Sequence, residues 1–182
     1  DIKVIKPNYM KSLKNKTVFI TGSSVGIGRE VAYKFAEEGS KIVTTYYTNR
    51  KEAVSVSSEC KKRGAASVLV IRLNVMEDAS IRGAVREVVN KFGEISVLIN
   101  NAGVAVGKTL WEQSFENIEQ QIRVNLEGTI KLTRECLPYI KDTIINIASG
   151  AGISGYKWLS TYCASKFGIR GFTQRSPKKY RK

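Results

Sequence analysis

Histidine is absent from this chain of 182 residues, so every mechanism that needs an imidazole base, shuttle or metal ligand is excluded. Cysteine is scarce. Cys60, Cys136 and Cys163 are odd in number and lack C-x-x-C spacing, which gives neither a disulfide framework nor a zinc site, and no metal is expected. No run approaches the roughly 18 apolar residues of a membrane span. The opening DIKVIKPNYMKSLKNK lacks the apolar stretch of a signal peptide. The expectation is a soluble, cytoplasmic protein with no membrane partner. Acidic residues are few, 16 against 30 basic, for a net charge of +14. The excess sits at the ends: Lys3, Lys6, Lys11, Lys14 and Lys16 at one, Arg175, Lys178, Lys179, Arg181 and Lys182 at the other. Basic tails contact nucleic acid by counterion release, but the body has no aromatic and basic interleaving. Solvated tails are expected, with nucleic acid not a partner.

The chain is 42% hydrophobic and 25% charged, enough for one globular core. It reads as a single domain over 1–182, with a basic extension at 1–12 and a basic tail at 175–182. Short runs rich in Val, Ile and Thr alternate with amphipathic segments, and that alternation predicts a parallel sheet. Strands are expected at 16–21, 41–46, 67–73, 95–100 and 143–148, and helices at 26–38, 50–63, 78–92, 112–137 and 158–174. Gly39 is a left-handed stop for the first helix. In the third, Ile81, Val85, Val88, Val89 and Phe92 share a face while Arg82, Arg86 and Lys91 point outward. Right-handed crossovers make the expected fold class α/β, a doubly wound, mostly parallel, Rossmann-like sheet with helices on both faces. Its ligand crevice lies at the carboxyl ends of the strands.

The segment TGSSVGIG (21–28) follows the first strand and opens the first helix. Gly22 permits a tight turn, Gly26 clears space for an approaching pyrophosphate, and Gly28 allows close helix packing; the helix N-terminus adds N–H groups and positive dipole. Tight structural turns also use glycine, so the loop alone suggests a dinucleotide without deciding it. Near the other end, Tyr162 and Lys166 lie four residues apart on one helix face. A phenol titrates near pH ~10, and a neighbouring ammonium favours the phenolate, so the pair suits proton exchange with an alcohol or carbonyl oxygen. An ordinary surface pair has the same spacing.

Taken in order, these segments closely resemble the short-chain dehydrogenase/reductase family. TGSSVGIG is similar to its cofactor loop, NNAG (100–103) to the motif ending its fourth strand, and Asn125 in VNLEG to its catalytic asparagine. Ser149 stands thirteen residues before Tyr162, and Tyr162 with Lys166 matches the Y-x-x-x-K pair. The resemblance covers about residues 13–174. It implies Tyr162 as general acid/base, Lys166 as the neighbour that lowers the tyrosine pKa and binds ribose, Ser149 as the holder of the substrate oxygen, and Asn125 as the anchor of a water that links Lys166 to solvent. It implies cofactor contacts at Gly22, Ser24, Gly26, Ile27, Gly28, Tyr46, Arg50, Asn74, Val75, Asn101, Ala102, Gly103, Tyr162 and Lys166. Asn100, Ala102 and Gly103 are expected to line the adenosine ribose and to help hold the central helix, with a mainly scaffold NNAG as the alternative.

Two departures from the family pattern stand out. Asn74 replaces the usual adenine-contacting aspartate, although an amide can still bond the adenine amino group. Family chains continue past the Tyr/Lys helix into further strands and a substrate-covering segment, whereas GFTQ (171–174) gives way here to RSPKKYRK; the expectation is a fold truncated after the fifth strand and its helix, with Pro177 ending that helix after about Ser176.

After the second strand, TTYYTNRKEA (44–53) has no acid until Glu52. Thr45, Tyr46 and Thr48 cannot repel a 2′-phosphate, and Arg50 or Lys51 could pair with it. This leans toward NADP, with NAD possible. Val104, Val106, Trp111, Ile153, Tyr156 and Trp158 are expected around a hydrophobic carbonyl or alcohol substrate. The expected function is an oxidoreductase transferring hydride between NADP(H) and that substrate. It is expected to work as a homo-oligomer through the helices at 112–137 and 158–174. The alternative is a truncated or degenerate relative that binds dinucleotide without turnover.

Overall fold

The structure, a computed structural model, describes residues 12–175. The segments 1–11 and 176–182, with most of the basic tail charges and the expected Pro177 break, lie outside the described residues.

The β-branched runs form five strands: β1 (Thr17–Ile20), β2 (Lys41–Tyr46), β3 (Ser67–Arg72), β4 (Ile95–Asn100) and β5 (Ile140–Asn146). All pair in parallel, in the order β3-β2-β1-β4-β5. β1 and β4 are buried along their whole length because helices cover both faces. Successive side chains point to opposite faces. Phe19 and Leu98 therefore pack with Ile81, Val85 and Val88 of α3 (Asp78–Phe92) and Leu132 and Cys136 of α5 (Gly128–Cys136). Val18, Ile20, Val97 and Ile99 pack oppositely, against Ala32 and Ala36 of α1 (Gly26–Glu37) and Val56 and Cys60 of α2 (Arg50–Lys62). Each fully buried large side chain stabilises the fold by about 1.5–3 kcal/mol. Burial pushes the Cys60 thiol up to about 11, and it is inert packing.

The chain winds outward from β1 to β3, then returns across β1 to β4 and β5. That reversal between β1 and β4 opens a crevice at the strands' carboxyl ends. Gly39 takes φ +71° and its N–H bonds the Ala36 carbonyl, so it ends α1 as its sequence suggests.

Three element boundaries differ from expectation. The helix expected over 112–137 is broken. α4 (Phe115–Ile122) starts where the Ser114 side chain caps Asn117 N–H, a π-helical turn occupies Arg123–Glu127, α5 follows, and Pro138 sits in a closing 3-10 turn at Leu137–Tyr139. The strand expected at 143–148 runs from Ile140 to Asn146, with a register irregularity opposite Ile95/Val97. The last helix, α6 (Ser160–Arg175), starts two residues late because Trp158 adopts φ +61°, which a helix forbids. Among the described residues no helix is long and apolar enough to cross a membrane.

Candidate functional site

At the reversal, a cleft of about 460 Å³ is bounded by four strand ends and the loops after them. One wall is the glycine loop. Gly22 has φ +61° and Gly26 φ +56°, left-handed values that L side chains rarely adopt. A Cβ on Gly26 would meet no atom within 4 Å, so its clearance is empty space beside the helix end. A Cβ on Gly28 would lie 2.5 Å from Asn101 Nδ2 and 2.6 Å from the Gly22 carbonyl, so this position is a packing contact. Gly28 does not line the cleft; Gly22, Ser24 and Ile27 do. α1 begins without a side-chain cap and with no acid in its first turn, which leaves its N–H groups and positive dipole end to an anion.

Three hydroxyls, of which only Thr45 had an expected place at the cleft, build this loop. Thr21 Oγ1 accepts the N–H groups of Asn101 and Ala102, both at 2.9 Å, and so ties the glycine loop to NNAG. Thr45 Oγ1 accepts Gly22 N–H at 3.0 Å. Ser23 Oγ accepts Thr45 N–H at 2.8 Å. Their signal in the sequence was only a hydroxyl at each strand end. Asn100 takes the scaffold part of its expected role. It is buried on β4, donates to Thr133 Oγ1 and Asn146 Oδ1, and belongs to the scaffold; Asn101, Ala102 and Gly103 face the cleft.

The opposite wall is Tyr46, Tyr47, Thr48 and Asn49 after β2, and Asn74, Val75 and Met76 after β3. No side chain lining this cleft is charged. Arg50 is not brought to it: Asn49 Oδ1 accepts Glu52 N–H, and Arg50 opens α2 outside the lining. Asn74 is held in its own loop, its amide donating to Glu77 at 2.7 Å and accepting Met76 N–H at 3.1 Å, with one acceptor lone pair remaining.

The expected Asn, Ser, Tyr and Lys residues gather where β4 and β5 end. Lys166 is only 4% exposed, and its Nζ donates to the Ile147 carbonyl at 2.8 Å, just past the end of β5. Burial lowers its pKa. The same Nζ lies 5.7 Å from the Tyr162 ring centroid. A Cβ on Gly103 would sit 3.3 Å from Asn125 Oδ1 and 3.6 Å from Lys166 Nζ, so both lie directly behind Gly103, which lines the cleft while they do not. Asn125 stands in the π-helical turn. Its Oδ1 accepts Val104 N–H, and its Nδ2 donates to the Val104 carbonyl and to Ser165 Oγ. Ser165 in turn donates to the Tyr162 carbonyl at 2.7 Å, a link that sequence spacing did not reveal. Ser149 caps the 3-10 turn Gly150–Gly152, which packs directly on the Lys166 backbone: a Cβ on Gly152 would lie 2.8 Å from the Lys166 carbonyl.

A family model described as short chain dehydrogenase matches residues 16–182. The chain belongs to the short-chain dehydrogenase family. Membership places it among NAD(P)-dependent oxidoreductases. It is 34% identical over 164 residues to a 3-oxoacyl-(acyl-carrier-protein) reductase of Staphylococcus epidermidis, covering 88% of this chain and 67% of the relative. A short-chain dehydrogenase/reductase from Burkholderia phymatum, solved in complex with NAD, superposes with a TM-score of 0.86 at 29% identity, over 91% of this chain and 60% of that one. A Serratia marcescens member superposes with a TM-score of 0.84 at 27% identity, over 89% and 67%. The chain thus spans about two thirds of the length of these short-chain dehydrogenases.

The expected substrate walls are open. Trp111 is 97% exposed, and Ile153, Tyr156 and Trp158 are exposed as well. Val104 lines the cleft.

Proposed function

We propose that this short-chain dehydrogenase binds NADP(H) in the cleft, with NAD(H) as the weaker occupant, and interconverts a carbonyl compound with its alcohol. The observation that carries the reading is that Lys166 and Asn125 meet behind Gly103, a lining residue of a cleft that also borders an uncapped helix N-terminus. The chain's residues suit the cofactor: open space over Gly26, amide donors at α1 for a pyrophosphate, and a carboxylate-free wall at 45–49 for a 2′-phosphate. Arg50 and Lys51 enter this reading only as nearby positive charge.

When bound, the nicotinamide supplies the hydride chemistry. Tyr162 delivers or removes the proton at the substrate oxygen. Lys166 uses one N–H on Ile147 and has two left for ribose hydroxyls. Ser149 holds the substrate oxygen. Asn125 positions Val104 and Ser165. Both of its amide hydrogens are engaged, so a water beside it would bind as donor to an Asn125 oxygen.

The likeness to the Staphylococcus epidermidis 3-oxoacyl-(acyl-carrier-protein) reductase supports a 3-oxoacyl compound as one substrate class to include. A second reading, dinucleotide binding without turnover, is favoured by the exposure of Trp111, Ile153 and Trp158. Cofactor fluorescence titration followed by a panel of ketones, aldehydes, quinones and 3-oxoacyl thioesters separates the two. Turnover that Tyr162→Phe abolishes supports the enzyme; binding with no turnover in either protein supports the second reading.

A further inference from the structure

The stretch after NNAG, residues 104–108, belongs to no helix or strand, so its inward main-chain groups need partners from elsewhere. Three buried side-chain amides supply them. Asn125 pairs with both the N–H and the carbonyl of Val104 at 2.8 Å. Gln121 Oε1 accepts Val106 N–H at 3.1 Å. Gln113 Nε2 donates to the Lys108 carbonyl at 3.2 Å. Alternate residues are thus bonded, as along a strand edge. Two of the amides are linked directly. Gln121 Nε2 donates to Gln113 Oε1 at 3.1 Å and to the Asn117 carbonyl at 3.0 Å, and Gln121 is 0% exposed. Gln121 and Asn125 lie four residues apart across the junction of α4 with the π-helical turn, on the same face. Lys108 N–H then bonds the Trp158 carbonyl at 3.0 Å, which joins the stretch to the segment that leads into the Tyr162 helix.

We propose that Gln121, with Gln113, is a positioning residue: a buried amide clasp that sets residues 104–108 at the mouth of the site and so governs substrate fit, while the cofactor end of the cleft stays independent of it. The consequence for substrate rests on the oxidoreductase reading; the clasp itself does not. A primary amide presents an acceptor for Val106 and a donor for Gln113 at once and without charge. Gln121 does not line the cleft, and its side chain hydrogen-bonds Val106, Gln113 and Asn117 rather than Tyr162, Lys166 or Ser149, so its proposed effect passes through the loop.

Two variants test it. Gln121→Leu keeps volume but leaves Val106 N–H and Gln113 Oε1 without this partner. Gln121→Glu is neutral at low pH, where a protonated carboxyl offers one donor and one acceptor. Once ionised, it faces the Gln113 and Asn117 oxygens with no donor. The measurements are amide hydrogen exchange of the full chain by NMR, NADPH titration, and kcat and KM on whichever carbonyl the wild type reduces. The expected result in Gln121→Leu is Val106 exchange faster by about 100-fold, NADPH Kd within about twofold, and KM raised about tenfold with kcat changed far less. In Gln121→Glu, KM should match wild type at low pH and rise with pH relative to wild type. Val106 exchange unchanged in a folded Gln121→Leu protein overturns the clasp. Exchange that rises while kcat falls and KM stays constant, or with no pH-dependent KM in Gln121→Glu, overturns its role in substrate fit. If wild type binds NADPH and reduces nothing, the oxidoreductase reading fails instead, and the exchange result alone decides the clasp.

Discussion

Lys166 Nζ donates to the Ile147 carbonyl at 2.8 Å while lying 5.7 Å from the centroid of the Tyr162 ring. One buried ammonium is thereby fixed to the end of β5 and held beside the phenol one helical turn earlier. The strand aims the cation, and the helix aims the tyrosine.

Tyr162→Phe removes one hydroxyl and keeps the ring. Thermal stability and NADPH affinity should barely change, and turnover should fall by roughly 10²-fold or more, the usual size of a lost general acid/base. Steady-state kinetics beside a melting curve checks this. Turnover equal to wild type sinks the assignment.

Burial lowers the Lys166 pKa below its ordinary 10.5. The unfolded chain therefore binds more protons than the folded one between the lowered value and 10.5, and stability contributed at this site rises with pH across that window. Below the window the full cost of burying the charge is present; above 10.5 it is gone. Lys166→Met removes the group, so the stability of the variant minus that of wild type should fall as pH is raised toward 10.5. Paired urea titrations from neutral to alkaline pH measure it, and a difference that grows with pH refutes it. The same variant should weaken dinucleotide binding.

The glycine loop separates packing from binding. Gly28→Ala puts a methyl group within 2.9 Å of Ser23 Cα and closer still to the Gly22 carbonyl, so it should cost about 1–3 kcal/mol of stability and lose cofactor. Gly26→Ala meets no atom but is held at φ +56°; it should cost about 1–2 kcal/mol and reduce NADPH affinity. Denaturant midpoints and fluorescence titration rank the two, and the reverse stability order contradicts the geometry.

NADPH should bind more tightly than NADH, because the wall at Thr45, Tyr46, Tyr47, Thr48 and Asn49 holds no carboxylate. Thr48→Asp should narrow or invert the preference. Since Arg50 lies outside the lining, Arg50→Ala should change the NADPH to NADH ratio by less than about threefold. A larger drop shows that the side chain swings to the phosphate.

Self-association through α4, α5 and α6 is the remaining proposal. Phe115, Ile130 and Phe167 on these helices are exposed. Sedimentation at micromolar concentration should show a dimer or larger, and Phe167→Glu should shift it toward monomer. A monomeric wild type ends this proposal.

The sequence by itself determined the winding of the fold. Period-two and period-3.6 hydrophobicity are local properties, and glycines after β1 and β4 announce turns that only they make cheaply, so the strands, α1, α3 and the motif residues were legible. The tertiary structure alone decided where polar groups point. Nothing local distinguishes Asn100, turned into the scaffold, from Asn101, turned to the cleft; the pleat and the position of Thr133 decide it. Arg50 read as a phosphate partner because it was near in sequence, but the Asn49 cap starts α2 there and fixes where its side chain begins. The uninterrupted apolar pattern over 112–137 concealed a π-helical turn, since a one-residue shift in hydrogen bonding leaves hydrophobic spacing almost unchanged. Gln121 carried no signal, because pairing a main chain that folds back from fifteen residues earlier is a long-range event that only the assembled loop defines.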